Sequence, residues 1–219
     1  MSKNLIDNLK SFNRKERFYL VGQMLGNPEF RMDDKQLDKI SELIGIKIPR
    51  EYFAAMDYHL DWIYASLFLT QEHDEKIFPR NFIDNNKKVG LQISGTQEDV
   101  DFLLAFVDHK NTTHIVMIEA KGDSYFSNGQ LDSKNKRFKA VFGNENTWPN
   151  VRPHFIICSP KKPQKINIEE PAYFMFKDFK LPWLELDMGN GKNKVTRCDE
   201  DAKPSNDGEH WKVERRSYK

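Results

Sequence analysis

Two apolar runs constrain this chain more than any other feature: residues 100–107 (VDFLLAFV) and 114–121 (HIVMIEAK), joined by Asp108-His-Lys-Asn-Thr-Thr113. Both are strand-length and rich in β-branched and aromatic side chains, and the connection has the Asp and Asn chemistry of a turn. Folded back on each other as a hairpin, they set Asp101 opposite Glu119 or Lys121, depending on register. Directly opposed residues share a sheet face. The open end of the hairpin therefore gathers two carboxylates and an ammonium on one side.

A helix should follow the second run. Leu131, Asn135, Phe138 and Phe142 recur at helical spacing, Ser127 or Asn128 can cap the start, and Gly143 can stop it. Gln130 and Lys134, four residues apart, share a face of its first turns. His154 to Cys158 (HFIIC) reads as another strand closed by Ser159-Pro160. Upstream, residues 89–93 read as a short strand. The first third looks helical: Asn13 and Glu16 fit a capping box, Asp33 or Asp34 can cap a second helix ended by Gly45, and Pro49 suits the first turn of a third. That third helix is expected over residues 50–69, with Phe53, Met56, Leu60, Ile63, Tyr64 and Leu67 as its apolar stripe and Asp57 and Asp61 along the stripe's edge. Beyond residue 161, 173–176 and 183–186 read as short strands or helical turns, and 190–208 as loop.

Charge and composition narrow the partners little. Thirty-four Lys and Arg nearly cancel 33 Asp and Glu, so any basic surface must be local. No apolar stretch is long enough to cross a bilayer, and the expectation is a soluble, cytoplasmic protein with no membrane partner. The two cysteines, Cys158 and Cys198, form no CxxC pair and read as reduced thiols. The six histidines show no paired ligand spacing and read as turn or surface residues; no GxSxG elbow or phosphate-binding loop occurs. Of the four tryptophans, at least three are expected as core or interface anchors rather than base-stacking platforms.

The order helix, strand, strand, strand, helix, strand, with Asp101 at the head of one strand and Glu119-Ala120-Lys121 ending the next, resembles the PD-(D/E)XK, or restriction-endonuclease-like, nuclease superfamily. The tripeptide pattern also occurs at Asp33, Asp108 and Asp132, among other places. Only the Glu119 copy ends an apolar run, faces another acid and precedes a capped amphipathic helix. The resemblance implies an α/β (α+β) fold with an αβββαβ core, a mixed central sheet flanked by helices. Residues 50–160 would form this core, 1–49 an N-terminal helical extension, and 161–219 a C-terminal extension completing the same domain. It also implies that Asp101, Glu119 and Lys121 are catalytic, and Gln130 falls where some branches carry a glutamine.

The chemistry suits such a set. Phosphodiester hydrolysis must stabilise negative charge at phosphorus and on the departing oxygen while a water is made nucleophilic. Asp101, Glu119 and the backbone carbonyl of Ala120 are oxygen donors of the kind Mg²⁺ prefers, with Mn²⁺ as a substitute, and Asp57 or Asp61 is a further candidate ligand. Lys121 can orient or deprotonate the water; Gln130 and Lys134 are candidate substrate contacts. The expected function is a Mg²⁺-dependent endonuclease acting on DNA, of restriction, defence or DNA-processing type. Double-strand cutting would favour a homodimer. The alternative is a non-catalytic nucleic-acid-binding or assembly module using Lys134, Lys136, Arg137 and Lys139 as a basic strip.

Overall fold

A computed structural model describes all residues except 1–3, 13–14, 72–76, 79, 85–86, 96–97, 123, 190 and 217–219. In chain order the elements are α1 (Leu5–Ser11), α2 (Glu16–Met24), α3 (Asp34–Ile44), β1 (Phe53–His59), α4 (Leu60–Phe68), β2 (Asn81–Asp84), β3 (Lys87–Leu91), β4 (Asp99–Val107), β5 (Thr113–Ala120), α5 (Asn128–Phe142), β6 (Val151–Ser159), β7 (Trp183–Glu185), β8 (Lys192–Cys198) and β9 (His210–Arg216). A five-stranded mixed sheet, ordered β1-β4-β5-β6-β7, is flanked by helices, so the chain is mixed α/β. β1, β4 and β5 run antiparallel in sequence; β6 and then β7 add in parallel.

The parallel step from β5 to β6 needs a crossover, and α5 supplies it. Ser127 caps α5 through the Gln130 N–H, and Gly143, at positive φ, follows its last turn. Its apolar side, Leu131, Phe138 and Phe142, is fully buried. Phe138 packs edge-on to Phe155 of β6, which shows the sheet face that α5 covers. That face also carries Met117 and Glu119 of β5, because Phe155 is level with Met117 in the ladder and alternate residues share a side. α4 lies beside α5, tied by an ion pair between Asp61 and Arg137 at 2.6 Å, and α1 is tied to α4 by Asn8, whose Nδ2 donates to the Ser66 carbonyl.

Residues 50–69 are not one helix: β1 occupies 53–59 and the helix starts only at Leu60. β1 is almost wholly buried, and a strand covered on both faces carries a continuous apolar run that helical spacing fits by chance. Residues 89–93 also differ from expectation. β3 pairs with β2 in a separate two-stranded ribbon, and it is β1 that lies beside β4 in the five-stranded sheet. The segment 190–208 contains β8, which pairs with β9 as a second ribbon. α2 starts after Lys15 without a side-chain cap, and the Asn13 cap expected there lies outside the described residues. Asp33 and Gly45 bound α3 as expected. Both cysteines are free and buried. Among the described residues no helix is long and apolar enough to cross a membrane.

The face away from α5 holds an ordered histidine pair, not the surface histidines expected. His114 Nδ1 lies 2.9 Å from His154 Nε2, and His114 Nε2 lies 3.2 Å from Asp108 Oδ2. Burial pushes His154 down to about 3, with the neighbouring His114 and Lys177 adding to the effect. A histidine held neutral in the native state charges more readily when unfolded, so the stability it supports is complete above its ordinary value of 6.5 and declines as pH falls below that value. Asp108 acts lower down: the Thr112 backbone N–H holds its carboxyl to about 2, and its contribution is lost as pH falls below 3.8. In urea denaturation, wild type should therefore lose stability relative to His154→Gln as pH drops from about 6.5 to 4. The differential slope is bounded at about 1.4 kcal/mol per pH unit for one proton. Parallel pH profiles for the two proteins would contradict this assignment.

Candidate active site

The open end of the β4–β5 hairpin carries the site. Phe102 pairs with Ile118, which makes Asp101 and Glu119 the next residues level with each other. The Ala120 N–H donates to Asp101 Oδ2 at 2.6 Å, fastening the aspartate to the Glu-Ala-Lys segment itself. Lys121 leaves the strand end, its N–H donating to the Cys158 carbonyl of β6, and its Nζ lies 3.8 Å from Glu119 Oε1. From α5, Gln130 Nε2 donates to Glu119 Oε1 at 3.0 Å, and Lys134 Nζ lies 2.8 Å from Glu119 Oε2. The structure thus brings together Asp101, Glu119, Lys121, Gln130 and Lys134.

Lys134 is turned inward, toward Glu119. Only 5% of it is exposed, and besides pairing with Glu119 it donates to the Asp99 carbonyl. Glu119 is equally buried, and burial raises its pKa despite the opposing charge of Lys134; the carboxylate of Asp101 pushes the same way. Asp101 also contributes to the pKa of Cys158, which burial pushes up to about 11. An inert thiol follows, since the thiolate is the reactive form.

The two helix acids considered from sequence separate sharply. Asp61 is in α4 and is consumed structurally: it accepts from the backbone N–H groups of Ser94 and Gly95 and pairs with Arg137. Asp57 belongs to β1. The ladder pairs Met56 with Phe102 and Tyr58 with Val100, which sets Asp57 level with Asp101. Three adjacent strands therefore present an acid at one level: Asp57, Asp101 and Glu119. Asp57 is buried with φ at 48°, a left-handed conformation that a non-glycine residue adopts at a cost. Burial raises its pKa, Arg17 opposes, and the charges of Asp99 and Asp101 raise it further.

Sequence reasoning missed the cations that reach this end from α2 and the turn before it. Arg17 Nε lies 3.0 Å from Asp57 Oδ2, and Lys15 pairs with Asp99. Nothing local in the sequence signals either pairing, because α2 and β4 are brought together only by the tertiary fold. The basic strip considered for α5 does not form one face. Lys134 and Arg137 turn inward to Glu119 and Asp61, leaving Lys136 and Lys139 exposed.

The donor set is that of a hard cation, since Asp101, Glu119 and the Ala120 carbonyl offer only oxygen. Glu119 Oε2 and Asp57 Oδ2 are alike: each is buried beside a cation, Lys134 and Arg17 respectively, yet accepts no aligned hydrogen bond. Among the described residues no three His, Cys, Asp or Glu side chains are grouped closely enough to hold a metal by themselves. A cation here would draw on the carbonyl, water and phosphate oxygens as well. No protein-family model matches the chain, and neither a curated protein nor a solved structure is significantly similar to it.

Proposed function

We propose that the chain is a metal-dependent nuclease of the restriction-endonuclease-like kind, hydrolysing DNA phosphodiesters with Mg²⁺ or Mn²⁺. The observation that carries the reading is the level placement of Asp101 and Glu119 on neighbouring strands, with Lys121 Nζ 3.8 Å from the glutamate. The strand order adds support. Two antiparallel steps followed by a parallel one across a helix match the central elements of an αβββαβ core, with β1 as its first strand.

Asp101, Glu119 and the Ala120 carbonyl would hold the cation, whose chemistry is to withdraw charge from the phosphate and lower the pKa of water. The remaining work falls to the chain. The Ala120 N–H fixes the Asp101 carboxylate, and Gln130 orients Glu119 Oε1. Lys121, more exposed than Glu119, would hold the attacking water or neutralise charge developing on phosphate. Lys134 offsets the charge of Glu119 from within α5 and keeps two carboxylates tolerable at one level.

Supercoiled plasmid incubated with the protein and Mg²⁺ should convert to nicked or linear forms, and EDTA should stop the conversion. A preparation that leaves plasmid intact with both Mg²⁺ and Mn²⁺ would sink the reading.

A further inference from the structure

We propose that the β8–β9 ribbon is the surface that seats this protein on duplex DNA; the inference rests on the nuclease reading and names how its substrate is held. The ribbon pairs Asn193 with Arg215, Val195 with Val213 and Arg197 with Trp211. Opposed residues share a face, so these six side chains form one surface. All six are exposed, with Trp211 at 68%, Val195 at 67% and Val213 at 54%. The other face, with Lys194, Thr196, Lys212 and Glu214, is half-buried, and Cys198 is buried. The ribbon therefore turns its apolar side outward, the reverse of what folding alone favours.

Charge decides the occupant. The outward face carries Arg197 and Arg215 and no acid, and Arg197 is steadied by donating to the Gly208 carbonyl. A two-fold pairing with a second copy would bring a self-complementary patch together and set these guanidinium groups near their own counterparts. A polyanion reverses that penalty. The B-DNA major groove admits a two-stranded ribbon, where arginine reads guanine edges or phosphates and apolar side chains meet thymine methyls. The major groove of A-form RNA is too deep and narrow for the same fit.

Position agrees. Leu186 N–H donates to the Ser159 carbonyl at the end of β6, and a Cβ on Gly122 would lie 3.3 Å from the Met188 methyl. The strand that opens the ribbon begins at Lys192, shortly after a segment that touches the residue following Lys121. The ribbon is thereby joined to the chain a few residues from the open end of the hairpin.

The test is fluorescence anisotropy of a labelled DNA duplex over a salt series, in EDTA so that binding is read without cleavage. It compares wild type, Trp211→Ala and Arg197→Ala/Arg215→Ala, with circular dichroism to confirm folding. We expect at least about tenfold weaker binding for the double variant and a salt slope smaller by about two, one for each lost phosphate contact. Trp211→Ala should weaken binding with the slope little changed. Unaltered affinity in both variants overturns the proposal. So does a wild type whose ribbon instead drives self-association, or binding to anionic vesicles, that Trp211→Ala abolishes. Plasmid cleavage by the same proteins separates the two readings. Ribbon-dependent binding without cleavage removes the nuclease and leaves the DNA surface, while cleavage and affinity that ignore the ribbon remove the surface and leave the nuclease.

Discussion

Glu119→Gln and Lys121→Ala should each lower Mg²⁺-dependent plasmid cleavage by at least about a hundredfold while leaving duplex affinity in EDTA within a few-fold of wild type. The magnitude follows from what each group is asked to do. A positioned acid–base or charge-stabilising group contributes about 10² to 10⁴ in rate. Glutamine keeps the size of Glu119 and an acceptor oxygen but takes the counter-charge from the buried Lys134 ammonium, so the rate is compared with circular dichroism that shows the fold is retained, and in that case its loss isolates the carboxylate charge. Lys121 is 3.8 Å from Glu119 Oε1 and partly exposed, and its truncation leaves no buried charge unpaired. Asp61 supplies the contrast: it is tied to Ser94, Gly95 and Arg137, so Asp61→Asn should act on stability and spare the chemistry. Cleavage that survives both Glu119→Gln and Lys121→Ala within a few-fold would remove these residues from the reaction.

The parts of the fold that could be read from sequence are those where local and global signals agree. α5 has a side-chain cap, a glycine beyond its last turn and a helical stripe that the sheet then buries. β4 and β5 are apolar runs bounded by a turn in which Asp108 Oδ1 accepts from the Lys110 and Thr112 N–H groups, so the hairpin could be anticipated and the residue opposite Asp101 narrowed to Glu119 or Lys121, between which the ladder selects Glu119. β1 could not. It is buried on both sides, and without polar alternation a period of two has nothing to register against. Misplacing β1 misplaced Asp57, whose position level with Asp101 depends on the strand and not on a helix edge.

The ribbon failed for the opposite reason. Lys192, Asn193, Lys194 and Thr196 look like loop residues because no face of β8 belongs to the core, and cross-strand pairing with β9 is a long-range contact with little local signature. The cations at the site share that character. Lys15 and Arg17 meet Asp99 and Asp57 only because α2 packs against β1. The candidate acids Asp101 and Glu119 could thus be picked out from strand-end position, whereas the charges that make those acids tolerable could not.

Lys134→Met should cost the protein about 3 to 5 kcal/mol, because it leaves the Glu119 carboxylate without its nearest cation in a site where both residues are only 5% exposed. Methionine retains the apolar reach of the lysine stem, so the loss reports on charge and on the bond to the Asp99 carbonyl. The native state has one escape, which is to protonate Glu119. Its folded pKa already lies above the ordinary 4.5, and removing the ammonium raises it further. A carboxyl with a raised folded pKa favours the native state at low pH and penalises it as pH rises through that pKa. The deficit of Lys134→Met in urea denaturation should therefore be small near pH 4.5 and grow toward neutrality. Adding Glu119→Gln should restore most of the lost stability, because a neutral amide needs no counter-charge. A deficit below about 1 kcal/mol that does not vary with pH is what a solvated surface pair gives. That result would mean that the ammonium does not hold the glutamate's charge, and that the acids at the sheet end are tolerated by water instead.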